Sequence, residues 1–258
     1  MAATVFYLDP LPDVGGTAVL DGKEGHHAAT VRRIRVGERI LLSDGRGGIA
    51  DTVVTSAEKN RLEMAVNTRS DVPPASPSVG LVQALPKADR SELAVELATE
   101  AGIDTVVPWQ SARCVARWEG AKANKGVARW QAVATAAAKQ SRRPFVPRVA
   151  DLHSTAAVVD LVRGVVERGG VVAVLHESAS VEFASLPLRD VPEILLVVGP
   201  EGGLDDSEVA KLTVVGATPV MLGPNVLRTS TAAAVALGAI GVLTRRWAEA
   251  PLDFQDAR

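Results

Sequence analysis

The chain changes its sequence pattern near residue 75, and this change constrains the fold more than any other feature. Before it, short apolar or alternating segments such as residues 48–57 are separated by Gly, Asp and Asn, which is typical of β-strands joined by turns. Residues 71–78, DVPPASPS, contain three prolines, which remove backbone donors and interrupt regular structure. We therefore predict a small β-barrel over residues 1–72, a linker over 73–78 and a second domain over 79–258.

The second domain alternates apolar segments with helical patterns. Residues 194–198, ILLVV, are apolar at every position, which indicates a strand buried on both faces of a parallel sheet. Leu and Ala recur at helical spacing after the linker until Gly102 ends the pattern. The predicted fold class is α/β, with helices at residues 25–33, 88–101, 127–139, 155–167, 206–212 and 230–247. Strands of the second domain are predicted at residues 78–85, 104–109, 171–177, 193–199 and 218–223.

Composition excludes several classes of partner. The 28 Lys and Arg residues against 30 Asp and Glu residues create no broad basic field for nucleic acid, and nine aromatic residues cannot form a wide base-stacking platform. The single cysteine, Cys114, excludes an intrachain disulfide, and the four histidines lack the spacing of a metal site, so we expect no metal. Without a leader pattern or about 18 consecutive apolar residues, we expect a cytoplasmic protein with no membrane partner.

Three predicted strands run directly into polar or glycine-rich residues. These segments cover residues 171–180, 194–209 and 219–234. Ligands of open α/β sheets bind in the crevice at the carboxyl ends of the strands, so the three loops are predicted to wall one pocket.

The sequence GPEGG at residues 199–203 indicates what kind of ligand the pocket takes. Its glycines allow a ligand to approach the backbone, whereas Glu201 opposes a phosphate and suits a ribose hydroxyl or a cation. The chain contains neither G-x-G-x-x-G nor the phosphate-binding loop with its lysine. Asp205 and Glu208 have the spacing of a capping box at the start of the next helix.

The segment LGPNVLRTSTAAA at residues 222–234 forms the second predicted loop. Gly223 and Pro224 follow the strand, Arg228 comes next, and Thr229 or Ser230 is predicted to cap an alanine-rich helix.

Together GPEGG and LGPNVLRT closely resemble the RsmE family of 16S ribosomal RNA uracil-N3 methyltransferases, members of the SPOUT class. Residues 26–48, 84–114 and 129–147 also resemble family segments, so the likeness covers nearly the whole chain. The resemblance implies a PUA-like RNA-binding β-barrel, a C-terminal trefoil-knotted methyltransferase domain, S-adenosyl-L-methionine as cofactor and a homodimer. Lys139 and Leu97 depart from the family pattern, which usually has Glu and often Lys there.

The resemblance also implies the site residues. Main-chain and side-chain groups of the three loops would enclose the cofactor: Leu175, His176, Gly199, Pro200, Glu201, Gly202, Gly203, Leu222, Gly223, Pro224, Val226, Leu227, Arg228, Thr231 and Ala232. Independently of the resemblance, the local clustering of basic residues predicts contacts with RNA phosphates from Arg32, Arg33, Arg35, Lys87 and Arg90, and a solvated charged face is the alternative for each arginine.

Uracil N3 carries a weakly acidic imide proton, so the enzyme must remove it or stabilise the resulting anion. We expect the guanidinium groups of Arg143 and Arg228 to stabilise the anion, and Glu201 to act as the base or as a ribose ligand. A salt bridge or phosphate contact for Arg143, and a structural hydrogen bond for Arg228, are the alternatives.

Two other functions remain open from the sequence. One is a non-catalytic RNA-binding or ribosome-binding protein with a degenerate methylase fold, against which the intact glycines of both loops argue. The other is a nucleotide-phosphate or dinucleotide enzyme, which the missing glycine fingerprint and phosphate lysine disfavour.

Overall fold

The computed structural model describes residues 4–248 and 252–253. Contacts between residues divide the described chain into two compact units. The first contains residues 4–74, 138–146 and 252–253, and the second contains residues 75–137 and 147–248. Each unit has an apolar core of its own. The limits predicted from the sequence, at residues 72 and 79, stay a prediction.

The first unit is built on a five-stranded sheet. Its strands are β1 (Val5–Tyr7), β2 (Thr17–Leu20), β3 (Arg39–Ser43), β4 (Gly48–Glu58) and β5 (Arg61–Asp71). The order is β1-β3-β4-β5-β2, and only the pair β1 and β3 is parallel. Among the described residues β1 and β2 lie at opposite edges of this curled sheet, which forms a half-barrel. The predicted small β-rich N-terminal domain is confirmed.

The short helix predicted at residues 25–33 begins three residues earlier. Helix α1 spans Gly22–His26 and continues into a π-helical turn, His27–Val31. A Cβ atom at Gly25 would clash with the carbonyl oxygens of Asn60 and Leu20, so the glycine allows the helix to pack closely on the sheet. Gly25 therefore belongs to the interior of the helix and does not mark its start.

The second unit is an α/β structure with an entirely parallel sheet. Its strands are β6 (Ser78–Ala84), β7 (Thr105–Gln110), β8 (Arg148–Val149), β9 (His153–Ser154), β10 (Val171–Leu175), β11 (Val181–Glu182), β12 (Glu193–Val198) and β13 (Thr218–Met221). The order is β11-β13-β10-β12-β6-β7-β8, with β9 also on β7. The predicted α/β class is confirmed, and the apolar β12 lies between β6 and β10 as its composition requires. The trefoil knot stays a prediction.

In the described part of the chain, five further α-helices follow the linker, besides the short 3-10 helix Phe183–Ser185. They are α2 (Ala88–Glu100), α3 (Ala121–Gln140), α4 (Thr155–Glu167), α5 (Asp206–Val214) and α6 (Thr229–Leu243). The last three residues of α3 belong to the first unit. No helix of the described chain combines the length and apolar character that crossing a bilayer requires.

The prediction that α6 reaches Trp247 is wrong. The helix ends at Leu243, because Thr244 adopts an extended conformation and its hydroxyl donates to the carbonyl of Ile240. Trp247 instead folds back over Gly241, where any Cβ would clash with the indole ring. The apolar pattern of the sequence continues past the end of α6 because Trp247 packs back on the surface of this helix.

Candidate functional site

A cavity of about 700 Å³ lies at the carboxyl ends of β10, β12 and β13 in the second unit. The three loops predicted to wall one pocket all contribute to it. Pro224 and Thr231 of the predicted cofactor set are not among its lining residues. The predicted residues that line it are Leu175, His176, Gly199, Pro200, Glu201, Gly202, Gly203, Leu222, Gly223, Val226, Leu227, Arg228 and Ala232.

The sequence did not assign every lining residue to the cofactor pocket. Arg90, which was predicted to contact RNA, also lines the cavity. Arg113 does so too; it lies three residues after the end of β7, and a basic residue close to the carboxyl end of a parallel strand is a sequence signal for such a site. The remaining additions are Glu177, Ser178, Val198, Leu204, Asp206, Met221, Asn225 and Thr229.

Two positions of GPEGG require glycine, each for a different structural reason. Gly203 has φ +71°, a left-handed conformation that side chains disfavour, and its amide donates to the carbonyl of Pro200 at 2.9 Å. At Gly199 a Cβ would lie only 2.9 Å from Cγ of Leu204. The loop is therefore a tight turn whose backbone borders the cavity.

The capping box predicted for α5 is half correct. Asp205 is the N-cap, and its Oδ1 accepts from the amide of Ser207 at 3.0 Å. Hydrogen bonds from Ser207 lower the pKa of the Asp205 carboxyl, and Arg113 lowers it further. Glu208 does not complete the box, because its buried carboxylate accepts from the amide of Ala112 at 2.9 Å and from the hydroxyl of Thr155 at 2.7 Å.

A buried hydrogen-bond chain joins the two signature loops. Nε2 of Gln83 donates to the hydroxyl of Thr229 at 2.9 Å, and that hydroxyl donates to the carbonyl of Gly199 at 2.7 Å. The expected capping by Thr229 or Ser230 is wrong, since Arg228 is the N-cap of α6 and makes no side-chain capping bond. The Thr229 hydroxyl cannot cap the helix because it is committed to the neighbouring loop.

Glu201 makes a contact that the sequence did not predict. Its Oε1 accepts from the backbone amide of Lys87 at 3.0 Å, and Lys87 is the N-cap of α2. A carboxylate is favoured at a helix N-terminus, where the partial charge is positive. One oxygen of Glu201 is therefore occupied at the end of a helix, and the other is available to a ligand.

The two predicted catalytic arginines belong to different units. Arg228 is exposed on the cavity wall, and no acceptor of the described chain bonds its side chain. Arg143 belongs to the first unit and is not among the lining residues. Its carbonyl accepts from the hydroxyl of Tyr7 at 2.8 Å, and burial raises the pKa of Tyr7, against an opposing effect of the Arg143 charge.

The three arginines predicted to contact RNA in the first unit are exposed. Arg32 reaches the hydroxyl of Thr4 at 3.5 Å, Arg33 has a left-handed φ of +56°, and the amide of Arg35 donates to Glu38. Their side chains are therefore presented from one turn beyond the π-helical segment.

Lys139, which departs from the family pattern, has an observed role. Its ammonium pairs with Glu24 and lies 5.0 Å from the ring centroid of Phe6. The substitution therefore completes a local contact within the first unit.

No group of three His, Cys, Asp or Glu side chains able to hold a metal ion occurs in the part of the chain that the structure describes.

Comparison with known proteins identifies relatives across the whole chain. The model of an RNA methyltransferase domain matches residues 74–241, and that of an RNA methyltransferase PUA domain matches residues 20–65. Ribosomal RNA small subunit methyltransferase E of Mycobacterium bovis is 55% identical over 247 residues, which cover 96% of this chain and 94% of that protein. The Bacillus subtilis protein of that name is 33% identical over 238 residues, covering 88% and 91%.

A solved structure shares the fold. Ribosomal RNA small subunit methyltransferase E from Neisseria gonorrhoeae, bound to S-adenosyl methionine, is 26% identical with a TM-score of 0.82. The match covers 94% of this chain and 98% of that one.

Proposed function

The chain belongs to the RNA methyltransferase family that includes ribosomal RNA small subunit methyltransferase E, and on this premise we propose that it methylates N3 of a uridine in 16S ribosomal RNA. S-adenosyl-L-methionine is the methyl donor, as in the Neisseria gonorrhoeae structure. The observation that carries the proposal is a cavity that GPEGG and LGPNVLRT wall together, with a hydrogen bond from Thr229 to Gly199 joining the two loops.

The cavity fits this cofactor in size and in chemistry. About 700 Å³ lies within the range of small-molecule sites, about 300–1,000 Å³. The turn at Gly203 and the close packing at Gly199 bring main-chain groups to the cavity edge. The free oxygen of Glu201 suits a ribose hydroxyl, whereas the occupied one holds α2, so we assign Glu201 to ribose binding in preference to proton removal.

When bound, S-adenosylmethionine supplies an electrophilic methyl group on its sulfonium sulfur. The protein must then position the uracil in line with that methyl group and favour the anionic form of the imide. We assign the stabilisation of this anion to the guanidinium groups of Arg143 and Arg228. The N3 proton would pass to solvent water, and the two guanidinium groups would hold the resulting anion until N3 accepts the methyl group and the neutral thioether of the donor leaves.

RNA is held by phosphate contacts from Arg32, Arg33, Arg35, Lys87 and Arg90. Such contacts orient a substrate without reading its sequence, and a few suffice when the substrate is large and structured. The small ribosomal subunit is such a substrate, and the reaction takes place in the cytoplasm. This local arrangement explains how a chain with net charge -2 can act on RNA.

We propose that the protein is a homodimer whose interface includes α6. Val235 and Val242 are exposed on this alanine-rich helix, and small side chains allow helices to approach closely. Burial of these valines against a second copy would remove apolar surface from water.

The decisive experiment is methylation of small ribosomal subunits that lack the mark, followed by mass spectrometry of the nucleosides. We expect one methyl group per subunit on uridine N3. The non-catalytic alternative predicts binding to the subunit without transfer, and methylation of a cytidine, a guanosine or a ribose would contradict the assigned target. The glycines of both loops and Arg228 of the second loop are present, which favours the catalytic function.

A further inference from the structure

The turn after β7 is attached to the cofactor loop at two places. Arg113 in this turn donates from Nη1 to the carbonyl of Gly202 at 3.4 Å, and its Nη2 lies 3.5 Å from Oδ2 of Asp205. Gly202 belongs to GPEGG, whereas Asp205 is the N-cap of α5 directly behind it. One side chain therefore bridges the loop that borders the cavity and the start of the helix that follows it.

Glu208 fixes the backbone of the same turn. Its Oε1 accepts from the amide of Ala112, the residue before Arg113, and from the hydroxyl of Thr155. The hydroxyl of Thr155 in turn accepts from the indole of Trp109 at 3.2 Å. Residues of β7, α4 and α5 are thus connected through one buried carboxylate.

The burial of Glu208 is costly. The residue is 2% exposed, and its Oε2 has no hydrogen-bond partner among the residues that the structure describes. A buried carboxylate with an unpaired oxygen destabilises a fold unless its position in the first turn of a helix and its other bonds compensate. Glu208 is therefore poorly explained as a contribution to stability alone.

We propose that Glu208 and Arg113 form a clamp that holds the GPEGG loop in its cofactor-binding conformation, with Glu208 acting through the turn that carries Arg113. Both are positioning residues, and the inference rests on the proposed function because it assigns S-adenosylmethionine to the cavity. The carboxylate is needed as an acceptor, since both groups that bond Oε1 are donors.

Calorimetric titration of the full chain with S-adenosylmethionine tests the clamp. We expect Arg113→Ala and Glu208→Ala each to raise the dissociation constant about tenfold, which corresponds to the loss of about one hydrogen bond that orders the loop. Glu208→Gln retains an acceptor and should remain within about twofold of wild type. Arg168→Ala is the matched control, because Arg168 is an exposed arginine paired with Glu193 away from the cavity.

The double variant separates positioning from general destabilisation. The double variant carries both Arg113→Ala and Glu208→Ala. If Glu208 acts through Arg113, it should bind the cofactor about as weakly as Arg113→Ala alone. If the two residues act independently, the two increases in the dissociation constant should multiply. In methylation assays the KM for S-adenosylmethionine should rise while kcat at saturation stays within about twofold.

Three results would overturn the clamp: unchanged cofactor affinity in Arg113→Ala, multiplied effects in the double variant, or an equal loss of affinity in Glu208→Gln. Arg113→Ala alters only an exposed side chain, so it tests the clamp even if Glu208→Ala does not fold. A wild-type chain that does not bind S-adenosylmethionine would contradict the proposed function as well, whereas wild-type binding with unaffected variants contradicts the clamp alone.

Discussion

The hydroxyl of Thr229 donates to the carbonyl of Gly199 at 2.7 Å, across thirty residues of sequence. The same hydroxyl accepts from Gln83, so the ends of β6 and β12 and the start of α6 meet at one buried oxygen atom. The relative position of the two loops that wall the cavity depends on this atom, and its loss should affect stability and cofactor binding together.

Replacement of Thr229 by Val tests this dependence. Valine keeps the shape but leaves the carbonyl of Gly199 and Nε2 of Gln83 without this partner, so we expect a loss of about 1–3 kcal/mol in the free energy of unfolding. Urea denaturation measures it, and the KM for S-adenosylmethionine should rise. Thr213→Val is the control, because the exposed Thr213 also donates to a carbonyl, that of Val209. Equal effects of both variants would contradict the argument.

Gly203→Ala should weaken cofactor binding through backbone strain. At φ +71° an alanine costs about 1–2 kcal/mol, and relief of this strain would move the loop away from the cavity. Gly169→Ala is matched, since Gly169 has φ +80°, follows α4 and has no atom near its Cβ position. Both variants should lose similar stability in thermal unfolding, whereas only Gly203→Ala should reduce affinity for S-adenosylmethionine. Equal affinities in the two would show that the loop tolerates the strain.

Local sequence patterns were sufficient to predict those elements whose structure depends mainly on their own residues. Helix α4 was predicted at its observed limits, because Ser154 caps it and Val158, Val162 and Val165 recur on the buried face. The three strand ends also came together as predicted, since parallel strands place their carboxyl ends at one edge of the sheet.

Other features of the fold and of the site depend on tertiary contacts and could not be predicted from local sequence. Glu208 has the sequence position of a capping residue, but its carboxylate instead accepts hydrogen bonds from the amide of Ala112 and the hydroxyl of Thr155. Strands β8, β9 and β11 contain two residues each and exist only through pairing with neighbours. No periodicity can reveal elements of this length.

Arg143→Ala should strongly reduce methylation while leaving cofactor affinity within about twofold. Loss of one preorganised donor to a developing anion lowers kcat by about 100-fold to 1,000-fold. Arg142→Ala, at the adjacent arginine, is the control and should retain most activity. Single-turnover methylation with calorimetry separates the chemical step from binding, and a full-rate Arg143→Ala variant would exclude this residue from catalysis.

Introducing charge on α6 should disrupt the proposed homodimer. Val242 is 76% exposed and Val235 is 47% exposed, so glutamate at either position costs little in a monomer but places a charge in an apolar interface. Sedimentation velocity should show a shift from dimer to monomer. Val214→Glu, at the 86% exposed end of α5, should leave the dimer intact. A wild-type monomer, or valine variants that remain dimeric, would contradict this interface.

Tyr7 should make the protein sensitive to alkaline pH. Burial raises the folded-state pKa of Tyr7 above its ordinary value of 10.0, against the smaller lowering effect of Arg143. Below pH 10 the folded and unfolded chains both keep the phenol proton of Tyr7, so the stabilising contribution of the neutral, buried side chain is fully present. As the pH rises above 10, the unfolded chain releases the proton while the folded chain retains it, and stability falls by up to about 1.4 kcal/mol per pH unit.

The variant Tyr7→Phe isolates this effect. It loses the bond to the carbonyl of Arg143 at every pH, which lowers stability by a constant amount, but it has no phenol to titrate. Urea unfolding on both sides of pH 10 should therefore give a steeper decline for wild type than for Tyr7→Phe. Because Tyr7 is the only tyrosine of the chain, tyrosinate absorbance reports its ionisation directly. Parallel stability curves, or ionisation of the folded protein at the ordinary pKa, would contradict the burial of this hydroxyl.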